Sequence, residues 1–246
     1  MAKKKKKTPF YKKAFLIIFL IIAGIIAVQF IYPNISDLKK ENPEKTAFMK
    51  YREEEWAREG KKYKVKQQWV SLRSISPYLV KAVLIGEDDK FWSHEGFDYE
   101  AIQKALEKDV KAQKFKLGGS TISQQLARNL FLSPSKNPFR KLREAVITWR
   151  MEKTLSKKRI LELYLNAAEW GDKGIFGIEA AARHYYNKPA SALGPEESSR
   201  LAAVLPNPRK FNPLGSSRYV AHRSSLIYSI MVRRGIVAPE YDDVVE

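Results

Sequence analysis

Gly118-Gly119-Ser120-Thr121-Ile122-Ser123-Gln124-Gln125-Leu126-Ala127-Arg128-Asn129 puts a hydroxyl, two amides and a guanidinium on one short helix. With a helix start near Ser120, the residues Thr121, Gln124, Gln125 and Arg128 fall on one face at i, i+3, i+4 and i+7, while Ile122, Leu126 and Leu130 line the opposite face. One side packs and the other offers hydrogen bonds. Polar helix faces are ordinarily solvated surface, so the meaning of this one depends on its neighbours.

Outward from this stretch the pattern is helical almost throughout. Ser76-Pro77, Asn137-Pro138 and Gly194-Pro195 each read as an N-cap followed by proline at the first helical position, while Asp98 and Ser156 can cap without one. Gly96, Gly171 and Gly235 mark breaks or ends. The spacing predicts helices over 77–88, 98–113, 121–131, 138–155, 157–168, 177–186, 195–204 and 218–234, and no segment sustains a period-two alternation. The expected fold class is all-α, without internal repeats. Lys111 to Gly119, basic and ending in two glycines, reads as a mobile loop beside the site. Thr46 to Lys62 is charge-dense and reads as a solvated helix to which no chemistry is assigned.

Residues 14–32 are the expected transmembrane anchor, since Ala14 to Ile31 carries no charge and one Gln, and as a helix spans about 27 Å, close to the hydrocarbon thickness. A signal peptide is the competing reading, but the run is followed by Phe30-Ile31-Tyr32-Pro33-Asn34 rather than a small-x-small cleavage site. Before it, residues 1–13 hold seven lysines and no acid, which assigns them to the cytoplasm. Those seven, taken from the formal +18, leave +11 for the remainder, so the outer part is basic in its own right. Such a surface is drawn to anionic headgroups and diphosphate-bearing lipids, and the absence of any nucleic-acid reading motif argues against that class of partner. The polar stretch 33–64 reads as a juxtamembrane connector and 65–246 as the one folded domain. With no cysteine, disulfides and thiolate metal sites are excluded, and the three histidines (His94, His184, His222) are not spaced to build a metal site.

Glu87 is the acid to examine first. Leu79, Val83 and Glu87 form an i, i+4, i+8 stripe, so the carboxylate continues an apolar line and is either partnered or functional. Desolvation would raise its pKa and nearby cations would lower it; the sequence leaves that balance open, as it leaves open a helix-end acid bonded to an amide or to His94. Glu144 follows Arg140 by four residues, which by itself reads as an ion pair. Ile160, Leu161, Tyr164 and Leu165 read as a packing stripe, with Asn166 satisfying backbone groups at a turn.

Four blocks, Glu87-Asp88-Asp89-Lys90-Phe91-Trp92-Ser93-His94-Glu95-Gly96, the Gly118–Asn129 stretch, Arg140-Lys141-Leu142-Arg143-Glu144 and Lys158-Arg159-Ile160-Leu161-Glu162-Leu163-Tyr164-Leu165-Asn166, occur in this order. Together, over roughly residues 65–235, they resemble the peptidoglycan glycosyltransferases (family 51), found also as the first domain of class A penicillin-binding proteins. The resemblance implies a lysozyme-like two-lobed helical architecture whose smaller lobe faces the membrane. It implies polymerisation of lipid II, with Glu87 as the base that takes the proton from the acceptor 4-hydroxyl and Glu144 as the second acid, orienting the donor with its basic partners or a divalent metal. Asp88, Thr121, Gln124, Gln125, Arg128, Arg140 and Lys141 become the expected substrate contacts; Arg143 belongs to the same basic block, and Phe91 and His94 brace the loop. The family commonly has Lys where this chain has Arg128. Glu179 falls in a further family block and is a weaker candidate. A chain stopping near Glu246 leaves no room for a transpeptidase domain, so a monofunctional enzyme of the inner membrane is expected, working with cell-wall synthesis and division proteins. No cofactor is required by the sequence, while Mg or Mn is compatible with the acids. The runner-up is a lytic, glycan-cleaving enzyme of the same broad fold, and a catalytically silent scaffold is the third reading.

Overall fold

A computed structural model describes residues 15–17, 19, 20, 24, 32–112, 119–134 and 138–237. The expected cytoplasmic tail, most of the expected anchor and residues 113–118 of the expected basic loop lie outside them. Among the described residues no helix is long and apolar enough to cross a membrane.

Nine α-helices carry the described fold: α1 Ala47–Arg58, α2 Pro77–Glu87, α3 Tyr99–Ala112, α4 Ile122–Phe131, α5 Pro138–Thr154, α6 Lys157–Ala167, α7 Ile178–Tyr186, α8 Pro195–Val204 and α9 Arg218–Arg233. The predicted helices fall at these places. Besides three short 3-10 helices (Ser36–Lys39, Leu72–Ser74 and Ala190–Ala192), two features differ from the expectation. The first is a two-stranded antiparallel hairpin, β1 Glu169–Gly171 with β2 Ile175–Phe176, which Lys66 extends through a bridge to Ile175. Its strands are two and three residues long, too short for an alternation to register. The second is α1, which is more than a solvated rod. Thr46 caps it by accepting from Met49 N, and Met49 and Trp56 are buried with Phe176 in a small cluster of their own.

Two helical groups frame the site. α2, α8 and α9 pack on one another, and α4 lies against α5, α6 and α1. In α2 the residues Leu79, Ala82, Val83 and Leu84 are buried, so the stripe read from the sequence does face the core and delivers Glu87 at its end. Pro77 opens this helix as expected, but Ser76 does not cap it; its hydroxyl donates to Leu193 O instead. Asp98 and Ser156 do cap, accepting from Ala101 N and Arg159 N. A Cβ added to Gly86 would stand 3.2 Å from Ile227 Cδ1, so the missing side chain is what lets α9 come close beside Glu87.

Candidate active site

A cleft of about 610 Å³ opens where these two groups meet. Its walls include Gly86 to Asp89 at the end of α2, Asp98 and Ala101 at the start of α3, Gly119 to Thr121 with Gln125 and Arg128 on α4, Leu205 and Pro206 after α8, and Arg223 on α9. A second hollow of about 200 Å³ shares Gln125, Arg128, Leu205 and Pro206, so the groove continues past Tyr164 toward Glu169 and Arg209.

Glu87 sits in this cleft with its side chain 9% exposed. Gln125 Nε2 donates to its Oε2 at 2.9 Å, and Arg223 Nη2 reaches its Oε1 at 3.2 Å and Gly86 O at 2.6 Å. The balance left open by the sequence is resolved: burial pushes the carboxyl above the usual range, outweighing the Gln125 hydrogen bond and the Arg223 and Arg128 charges. His94 is not its partner. That imidazole contacts Asp88, whose Oδ2 also accepts from Ile122 N, so Asp88 lines the cleft yet serves as a strap from α2 to the start of α4.

The glycine-rich stretch departs from the reading of four polar groups on one face. Thr121 is the N-cap of α4, and the helix begins at Ile122. Thr121 Oγ1 accepts from Gln124 N and donates to Gly96 O, while Gln124 Oε1 accepts from Thr121 N, a reciprocal capping box. Both side chains are buried in that task, which leaves Gln125 and Arg128 as the groups of this helix that face the cleft. The Gly96 end of the contact requires glycine, because φ is +90° and a Cβ would stand 2.9 Å from Thr148 and Glu152.

Glu144 does not line the cleft; it is fully buried behind it. Arg140 Nη1 donates to its Oε2 at 2.7 Å and Lys141 Nζ contacts its Oε1, with Lys141 also 3.5 Å from Ser120 Oγ on the cleft wall. Glu144 thus holds a cation at the rim of the site. Arg143 is not among the lining residues, and Glu179 is not either: it binds Arg183 and accepts from Ala190 N. Asn166 satisfies backbone groups as expected, though those of Val70, 96 positions away, as well as Glu162 O.

Three participants escaped the sequence reading. Arg223 was one, although Val220, Ile227 and Met231 are its buried companions and a charge on an apolar stripe is the very signal that singled out Glu87. Tyr164 was assigned to packing, yet its hydroxyl donates to Gln125 Oε1 at 3.1 Å. Arg52 forks onto Glu169 from α1, a contact across 117 positions that no local pattern reveals.

The acids around the cleft are largely held by other partners. Asp88 is taken by His94 and Ile122 N, Asp89 by Arg234, Glu144 by two cations, and among the described residues no three His, Asp or Glu side chains cluster in a way suited to a metal.

A desolvated carboxylate beside guanidinium groups in a groove on a helical scaffold is the arrangement of a candidate acid–base site. The family model described as Transglycosylase matches residues 53–232. A biosynthetic peptidoglycan transglycosylase of Dechloromonas aromatica (strain RCB) is 51% identical over 190 residues, covering 77% of this chain and 82% of that protein. One of the same description from Nitrosospira multiformis is 45% identical over 229 residues, 92% of this chain and 99% of the relative. A third, from Azoarcus sp. (strain BH72), is 50% identical over 192 residues, 78% and 83% of the two chains. The chain belongs to the transglycosylase family.

Proposed function

We propose that the protein is a peptidoglycan glycosyltransferase that polymerises lipid II. The observation that carries the reading is Glu87, a carboxylate kept out of water in the cleft with its pKa raised, opposite Arg128 and Arg223. Raised basicity suits the removal of a proton from a sugar hydroxyl.

In the reaction the acceptor 4-hydroxyl gives its proton to Glu87 as its oxygen bonds to the donor anomeric carbon. The bond from that carbon to the diphosphate oxygen breaks, and its electron pair leaves with the polyprenyl diphosphate. Attack opposite the leaving group inverts configuration. A diphosphate is already a stable anion, so this site needs cations where a glycosidase needs a general acid. Arg128 in the groove and Lys141 at its rim, held by Glu144, are suited to receive it, with Arg140 anchoring the same acid. Gln125 holds the base, Thr121 and Asp88 line the wall, and Gln124 holds Thr121 in place through the capping box.

The same proposal places the domain outside the inner membrane, on a single-pass anchor over 14–32, with a lysozyme-like fold whose smaller lobe meets the bilayer and cell-wall synthesis proteins as neighbours. The apolar run and the preceding lysines support that orientation. Incubating the full chain with labelled lipid II tests the function. Formation of polymer and release of polyprenyl diphosphate are expected. Release of short anhydro fragments from polymeric glycan, without polymer from lipid II, would instead mark the lytic reading as correct.

A further inference from the structure

Tyr164 has no part in the reaction as written. Its ring is buried and its neighbours on α6 are core residues, but its hydroxyl points at the site. That hydroxyl donates to Gln125 Oε1 at 3.1 Å, its one hydrogen bond among the described residues, and Gln125 Nε2 donates in turn to Glu87 Oε2 at 2.9 Å. Three residues from α6, α4 and α2 thereby form a single chain that ends on the carboxylate.

A primary amide has a donating end and an accepting end, and rotation by half a turn exchanges them. Reversed, Gln125 would set its oxygen against the Glu87 carboxylate and withdraw the N–H. It would also turn its NH2 toward the phenol, leaving the buried phenol proton without an acceptor. Burial, with the Glu87 charge next, pushes the Tyr164 phenol well above its ordinary range, so the hydroxyl stays protonated and remains a donor. The other charged groups that act on Glu87 are Arg223 from α9 and Arg128 from α4, while the Asp88 carboxylate is turned to His94 and Ile122 N. Arg223 contacts Oε1, so Oε2 depends on the amide.

We propose that Tyr164 is a positioning residue for glycosyl transfer: through its hydroxyl it fixes the Gln125 amide with the NH2 toward Glu87, and so governs how readily that carboxylate stays ionised. This rests on Glu87 being the base.

The test is lipid II polymerisation by the full chain in vesicles, followed from about pH 5 to pH 9. The unmodified protein, Tyr164→Phe, Gln125→Ala and the double variant are compared. Tyr164→Phe keeps the ring and should move the acid limb of kcat/KM upward by about half to one unit, with the alkaline side little changed. In the Gln125→Ala background the same exchange should add no further shift, because Tyr164 acts through that amide. A loss equal at every pH, or one as large without Gln125 as with it, overturns the proposal. Gln125→Ala itself provides a second route: it removes the donor to Glu87, so its limb should move up as well, and an unmoved limb there overturns the proposal. Absence of any polymer from the unmodified protein would instead sink the functional reading, and this inference with it.

Discussion

Glu87 and Glu169 are two buried acids along one groove, each facing an arginine and each pushed above the usual carboxylate range by burial. They are held in different ways. Arg52 grips Glu169 with both arms, Nε to Oε1 at 3.0 Å and Nη2 to Oε2 at 2.9 Å, and reaches on to Glu55, which also takes Arg209. Glu87 receives one longer contact from Arg223 and an amide. A forked pair consumes the lone pairs of the acid and ties α1 to the hairpin; the looser arrangement leaves the acid capacity to accept a proton. Burial and a nearby cation are common to both acids; what differs is the hydrogen bonding, with a forked pair at Glu169 and a single amide and a single guanidinium contact at the proposed base.

The largest expected effect is at Glu87. Glu87→Gln should lower polymerisation of lipid II by about 10²- to 10⁴-fold in a turnover assay. Its thermal midpoint should hold or rise. A carboxyl whose folded pKa is raised is disfavoured as an ion by the fold, and that cost is present at neutral pH and fades as pH falls through the raised value; a neutral amide removes it. A variant that loses stability together with activity would erase the distinction drawn here.

Next in size is Arg52→Met, which strands the Glu169 carboxylate in a place 5% exposed. Unfolding by denaturant should show a loss of about 3 kcal/mol near neutral pH. The loss should shrink as pH falls, because Glu169, its folded pKa raised further by removal of the partner, can then take up a proton. The matched exchange at the other end, Arg223→Met, should do the reverse. Glu87 keeps the Gln125 amide and the Arg128 charge, so stability should fall by less than for Arg52→Met, while kcat/KM on lipid II falls about tenfold. If both exchanges cost the same kind of quantity, the two regions are not distinct.

Much of this was legible in the residues. The stripe Leu79, Val83, Glu87 named the acid because a helix repeats its face at such spacing, and proline and cap signals located the helices. What stayed hidden depends on chain segments far apart. Thr121 and Gln124 have side chains fit for a ligand, but the backbone at the helix start uses them first, and only the position of the N-cap, one residue beyond the expected start, reveals that. Tyr164 reads as packing and Arg223 is not singled out, because nothing within their own helices refers to Glu87. The hairpin was too short to show a period, and the burial of α1 depends on Phe176, more than a hundred positions on.

If Glu87 is a base tuned by burial, the acid limb of the pH profile for lipid II polymerisation by the full chain reports its ionisation. Since burial raises this carboxyl from its ordinary 4.5 and the base works only when ionised, kcat/KM should fall on acidification around an apparent pKa above 4.5, and that limb should vanish in the residual activity of Glu87→Gln. A limb at or below 4.5, or one that persists unchanged in Glu87→Gln, would contradict it.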